Sequence, residues 1–201
     1  MHPEEFGIED AQISGKYLPE KYFKVQHARR RIQSLVTDTA SGKIIYAGTD
    51  VGIYRSEDSG KTWLQTNQGL FDQHIHSIVI DPKDSDTIYA GTGRGVFKSE
   101  DAGDTWSEWF DESAGLTHSK IYDLVLHPED SDILFSATDG GVFQSLDAGE
   151  NWEPVFTDQS IRIIKFSASN PDILYASGTS GIFRSKTRGR DWSPVWKNVL
   201  P

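Results

Sequence analysis

From Ile32 onward, short apolar runs alternate with clusters of Gly, Asp, Asn, Ser and Pro, and the runs recur in sets of four. In the second set the pattern predicts strands over Ile75–Ile80, Ile88–Gly91, Val96–Ser99 and Trp106–Trp109, with DPKDSD turning between the first two. The runs are rich in β-branched and aromatic residues, and they lack the 3.6-residue apolar period of a helical solenoid.

The sets are copies of one another. IYAGTDVGIYRSEDSGKTW, ending at Trp63, returns as IYAGTGRGVFKSEDAGDTW at Trp106, LFSATDGGVFQSLDAGENW at Trp152 and LYASGTSGIFRSKTRGRDW at Trp192. The tryptophans are 43, 46 and 40 residues apart. Each copy is preceded by a further apolar run: IQSLV, IHSIVI, IYDLVL or IRIIKF. Four antiparallel strands in roughly 40–45 residues match one blade of a β-propeller. The expected fold is therefore all-β, with four blades near 32–66, 75–110, 121–156 and 161–196. Residues 1–21 match no part of the repeat and read as an N-terminal extension. Tyr22-Phe23-Lys24-Val25 aligns with the outer strand of a blade, giving a propeller region of 22–201.

Within each copy stands Ser-x-Asp-x-Gly-x-Thr-Trp: Ser56, Asp58, Gly60 and Trp63; Ser99, Asp101, Gly103 and Trp106; Ser145, Asp147, Gly149 and Trp152. This element resembles the Asp-box, or BNR, repeat of sialidases, xyloglucanases, sortilin-type receptors and photosystem II assembly factors. At the hairpin between third and fourth strands, Asp and Ser accept bonds from backbone N–H groups, Gly supplies a positive φ, and Trp is expected to bury a large plate against the next blade. These residues are read as structural; the resemblance places the box away from any catalytic face. The fourth copy departs, with Thr187 in the Asp position and Asp191 where Thr or Asn stands, and its hairpin is expected to be the least rigid.

Propellers have 4–8 blades. Four blades either close directly or form an arc with two apolar ends, which a second copy would cover as an eight-bladed ring. A homodimer is the expectation.

Composition narrows the chemistry. The net charge of −10 has the wrong sign for neutralising phosphates, so no nucleic acid is expected as partner. Arg29, Arg30 and Arg31, with Lys21 and Lys24 upstream, read as a solvated strand edge. Without cysteine there is no disulfide, thiolate metal site, iron–sulfur cluster or Cys nucleophile. No apolar run spans a bilayer and no export signal is visible, so membrane insertion is not expected; the compartment stays open, an extracytoplasmic one fitting a trimmed mature form.

Ligands are expected on the face formed by the loops between second and third strands and between successive blades. The first set contributes Asp50, Arg94, Asp139 and Ser180. The second contributes Asn67, Asp72 and His74, then Asp111, Glu112 and His118, then Asp158. Asp50, Arg94, Asp139, His74 and His118 are the ligand-binding candidates. His74 and His76 lie at i, i+2 on one side of a pleat, but a metal needs three or four converging ligands and none is assigned. No cofactor is expected either.

Two functions fit. One is a non-catalytic scaffold binding a protein or carbohydrate, similar to the assembly factors. The other is a glycoside hydrolase fragment: TDVGIYRS, Thr49–Ser56, looks like the xyloglucanase loop that carries a catalytic aspartate, which makes Asp50 the one catalytic candidate. Two carboxyl groups about 5–10 Å apart are needed, and in that family the second comes from another propeller. A sialidase would need an arginine cluster, whereas Arg94 is the one clear arginine on this face. Exposed aromatics such as Phe71 and Trp109 would stack on sugars.

Overall fold

The computed structural model describes residues 31–38, 42–108, 114–118, 120–157 and 159–197. The expected extension, the Tyr22–Val25 strand, Lys21, Lys24, Arg29, Arg30, Trp109, Asp111, Glu112 and Asp158 lie outside them. Among the described residues sixteen strands form four antiparallel sheets of four, each ordered as the chain runs. Blade 1 holds β1 (Ile32–Thr37), β2 (Ile45–Thr49), β3 (Gly52–Ser56) and β4 (Leu64–Gln65); blade 2 holds β5 (Ile75–Ile80), β6 (Ile88–Thr92), β7 (Val96–Ser99) and β8 (Ser107–Glu108). Blade 3 is β9 (Ile121–His127), β10 (Asp130–Thr138), β11 (Gly141–Ser145) and β12 (Glu153–Thr157); blade 4 is β13 (Ile161–Ser167), β14 (Asn170–Gly178), β15 (Gly181–Ser185) and β16 (Ser193–Lys197). This is the β-propeller architecture the repeat predicts. The outer strand of blade 2 starts after Trp106, whose backbone N–H is given to Gln68 and not to β7.

The first strands line up across the blades, β1 beside β5, β5 beside β9, and β9 beside β13. Three apolar cores result, and each is a joint between blades. Tyr46 and Ile53 of blade 1 meet Ile75, Ile78, Phe97 and Trp106 of blade 2. Tyr89 and Val96 of blade 2 meet Ile121, Leu124, Phe143 and Trp152 of blade 3. Phe135 and Val142 of blade 3 meet Ile161, Ile164 and Phe183 of blade 4. Burying one such side chain contributes about 1.5–3 kcal/mol, so the joints rather than the isolated sheets hold the fold.

Glycine makes the close approach possible. A Cβ on Gly48 would stand 2.7 Å from Ile75 Cγ2, and one on Gly91 would stand 2.6 Å from Ile121 Cγ2. Each joint is also pinned by polar groups. The Tyr46 hydroxyl donates to the Ala102 carbonyl at 2.8 Å, and Tyr89 donates to Ala148 at 3.0 Å. Burial raises the Tyr46 hydroxyl to about 12, which keeps it a donor at ordinary pH. Near the channel, the first strands of blades 1 to 3 each carry a register shift beside their third residue, and that residue bonds to the following blade. There Ser34 Oγ accepts from Ile78 N at 3.0 Å, Ser77 Oγ from Leu124 N at 3.1 Å, and Asp123 Oδ2 from Ile164 N at 3.0 Å.

Trp106, Trp152 and Trp192 face the opposite way from the expectation. Trp106 donates its backbone N–H to Gln68 at 2.8 Å and its indole N–H to Thr66 at 2.9 Å, both in the linker leaving the preceding blade. Trp152 donates its backbone N–H to Ala114, and Trp192 stacks on Phe156. The next-facing plates are instead Tyr46, Tyr89 and Phe135.

Candidate functional site

The loop face is built from short, tied turns. At the end of β2, Thr49 Oγ1 donates to Gly52 O at 2.8 Å and accepts from Val51 N at 3.1 Å. Thr92 and Thr138 repeat both bonds in blades 2 and 3. These closures present Asp50 and Asp139 at the first turn position of blades 1 and 3; in blade 2 Gly93 takes that position and Arg94 stands one residue later, so the three do not occupy equivalent positions. In blade 4 Gly178 replaces the threonine.

Linkers between blades buttress these turns, so both predicted loop sets meet on one face. Asp50 Oδ1 accepts from Arg31 N at 3.3 Å. Asp72 sits buried under the Arg94 turn, where a Cβ on Gly93 would come within 2.9 Å of it. It holds His74 through the backbone N at 3.1 Å and the ring at 3.2 Å. His118 lies against Gly140, beside Asp139, with its ring 6.0 Å from that of Phe143. Asn67 bonds Ile53 N and Val51 O, and Ser180 donates to Gln159. His74 is therefore joined to the Arg94 turn and His118 to the Asp139 turn. Phe71 is exposed, but its ring also packs edge-on against Phe97 at 5.0 Å.

The opposite ends of the blades carry the Ser-x-Asp hairpins. Asp58 Oδ1 accepts from Thr62 N at 2.8 Å and Oδ2 from Thr62 Oγ1 at 2.7 Å, while Ser56 Oγ accepts from Gly60 N at 2.8 Å. The backbone and side-chain bonds from Thr62 hold Asp58 down at about 2. Asp101 and Asp147 repeat the arrangement with Thr105 and Asn151. Both oxygens of each carboxylate thus accept bonds from its own hairpin.

A cavity of about 570 Å³ lies along the first strands, where residues of β1, β5, β9 and β13 face the channel. Asp50, Arg94, Asp139, His74 and His118 do not line it. The one carboxylate among its described lining residues, Asp123, accepts from Ser77 Oγ at 3.1 Å, Leu124 N at 3.0 Å, Ile164 N at 3.0 Å and Lys165 Nζ at 2.8 Å. At the second position of the same strands stand Gln33, His76, Tyr122 and Arg162, forming a row across all four blades. His76 Nδ1 is 3.1 Å from Gln33 Oε1, and the Arg162 guanidinium lies 3.8 Å from the Tyr122 ring centroid. Burial, then the Lys120 charge, lowers His76 below its usual value and keeps the ring neutral near pH 7. His74 and His76 thus have separate partners, and no group of three or more metal-binding side chains exists among the described residues. Sequence reasoning singled out His76 of this row but passed over Gln33, Tyr122, Arg162 and Asp123; aligning the four first strands position by position exposes them.

A family model described as sortilin, neurotensin receptor 3, matches residues 52–139. No curated protein matches the chain. Among solved structures, an ancestral GH74 enzyme aligns with a TM-score of 0.71 at 21% identity over 84% of this chain and 24% of its own. The GH74 xyloglucanase from Xanthomonas campestris aligns at 0.64 and 22% identity, over 85% of this chain and 31% of its own. YCF48 bound to D1 peptide aligns at 0.64 and 15% identity, over 82% and 55%. The chain thus spans between a quarter and just over half of these proteins, and the likeness establishes a shared propeller fold.

Proposed function

We propose that the chain is a non-catalytic β-propeller scaffold that binds a protein or carbohydrate, its four hairpins being Asp-boxes that brace the blades. One observation supports this reading: among the described residues that line the channel cavity the one carboxylate, Asp123, is already engaged by a lysine, two backbone N–H groups and a serine. Glycoside hydrolysis needs two carboxyl groups flanking the bond, one of them with a raised pKa. A rigid face of buttressed turns suits recognition better. Asp50, Arg94 and Asp139 supply its charges, with His74 and His118 beside them. YCF48 in its complex with a D1 peptide is an example of a propeller that takes a peptide.

The test is incubation of the purified chain with xyloglucan and with a sialoside, followed by assay of released sugar. No release is expected. Release that is lost in Asp50→Ala would instead establish the hydrolase. In affinity capture, replacing Asp50, Arg94 and Asp139 together should abolish partner recovery without moving the melting temperature.

A further inference from the structure

Nine large apolar side chains are exposed among the described residues, and seven of them stand on the two end faces of the blade row: Ile32 and Leu35 on blade 1, and Ile163, Tyr175, Ile182, Val195 and Trp196 on blade 4. Six of the seven are repeats of side chains that an internal joint covers. Ile32 is 63% exposed and Leu35 62%, whereas Ile75 and Ile78, their counterparts in blade 2, are at 0% and 2%. Tyr175 is 39% exposed, against 1% for Tyr46 and Tyr89. Ile182 repeats Ile53, Val96 and Val142, which are all buried, and Trp196 repeats Phe156, which is packed against blade 4.

The internal joints show what covers such faces. Ile75 and Ile78 are received by Gly48 and Ile53 of the blade before them, and the Tyr46 hydroxyl is received by a hairpin carbonyl of the blade after it. Blade 1 therefore carries the receiving half of a joint and blade 4 the donating half. The two halves do not cover each other, so direct closure of four blades within one chain is not what this structure adopts.

From this we infer that a second copy of the chain supplies the missing halves: blade 4 of each copy docks on blade 1 of the other, giving two equivalent joints in a ring of eight blades. Eight is within the range propellers adopt, and closure by a two-fold axis satisfies every apolar end at once. The seventh residue marks this joint as different from the internal ones. Where Ser34, Ser77 and Asp123 each accept an N–H from the following blade, blade 4 has Ile163. In the ring Ile163 meets Leu35 of the second copy, apolar against apolar, and Tyr175 reaches the carbonyl of Ser59 in the second copy, the repeat of Ala102. This inference is independent of whether the scaffold binds or cleaves its ligand.

Light scattering on the full chain at micromolar concentration is the experiment. The chain mass is 22.5 kDa, and twice that is expected. Leu35→Lys and Ile163→Asp each lie at a position exposed within a single chain, so both variants should keep the parent's circular dichroism spectrum while running as monomers, and should melt below the parent because the joint is lost. An equimolar mixture should recover the dimer, because one joint then sets the introduced lysine against the introduced aspartate while the other is the parental pair. A parental mass of 22.5 kDa would overturn the inference, whether the ends are covered by residues 1–30 or by nothing. An open polymer, or a mixture of the variants that stays monomeric, would overturn it as well.

Discussion

The hairpin of blade 4 and those of blades 1 to 3 share one backbone but differ in chemistry. All four place a non-glycine residue in the left-handed region, with φ of 61° at Ser59, 56° at Ala102, 55° at Ala148 and 53° at Arg188, each followed by glycine at 83–90°. All four tie the glycine N–H to the serine hydroxyl, at 2.8 Å in blades 1 to 3 and 2.9 Å in blade 4. The aspartate is what differs. Asp101 takes two bonds from Thr105 and one from Ser99. Thr187 offers a single oxygen, which accepts from Asp191 N at 2.9 Å and leaves the Asp191 carboxylate without that role. Serine and glycine therefore suffice to form the turn, and aspartate adds a brace to it.

The largest effect should come from the part the four hairpins share. Ser99 and Ser185 are buried, and their removal leaves the N–H of Gly103 or Gly189 without its acceptor. Ser99→Ala and Ser185→Ala should each cost about 1–3 kcal/mol in urea melts, and by similar amounts. A much smaller cost at Ser185 would mean that blade 4 does not depend on the clasp. The aspartate brace is next. Asp101 and its partner N–H are exposed, so water replaces part of what is lost and Asp101→Ala should cost about 1 kcal/mol. Thr187→Ala, removing one accepted bond, should cost about half as much by the same reasoning.

The difference between the hairpins was legible in the sequence, as were the strands, because turn chemistry and period-2 alternation are local signals. What depends on stacking was not. The direction of Trp106 is decided by the Thr66 and Gln68 carbonyls, which arrive from another blade. Asp123 reads as a polar interruption of an apolar strand until Ile164 N and Lys165 are brought to it from 41 and 42 residues away. The loop candidates were found as a set because turn residues announce themselves; their pairing, His118 with the Asp139 turn and Asp72 with the Arg94 turn, needed the linkers in place.

Exchanging the two chemistries sharpens the comparison further. Thr187→Asp combined with Asp191→Thr rebuilds in blade 4 the pairing of Asp101 with Thr105. The double variant should gain about 0.5–1 kcal/mol, the net worth of a single added hydrogen bond. No gain would show that blade 4 lacks the space for the brace, and that its departure from the repeat is more than a missing carboxylate.

The smallest effect is a change in acid sensitivity. Asp58 is held at about 2 against an ordinary 3.8, first by the backbone bond from Thr62. Asp101 and Asp147 are also lowered: burial opposes their ionisation, but the bonds from Thr105, Ser99, Asn151 and Ser145 outweigh it. A carboxylate depressed in the folded state binds fewer protons there than in the unfolded chain, so its stabilisation is complete above the unfolded value and is lost as pH falls through the folded one. The stability of the parent should therefore decline on acidification from about pH 5 toward pH 2, the span set by these shifts. Thr187 does not titrate, so blade 4 lacks this source of the decline. Asp101→Asn, which keeps the shape of the brace, should remove part of one proton from the proton uptake on unfolding, and the exchange variant in blade 4 should add part of one. Urea melts at half-unit pH intervals measure that uptake as the slope of stability against pH. An unchanged slope in Asp101→Asn would show that the hairpin holds its aspartate by shape alone, without using its charge.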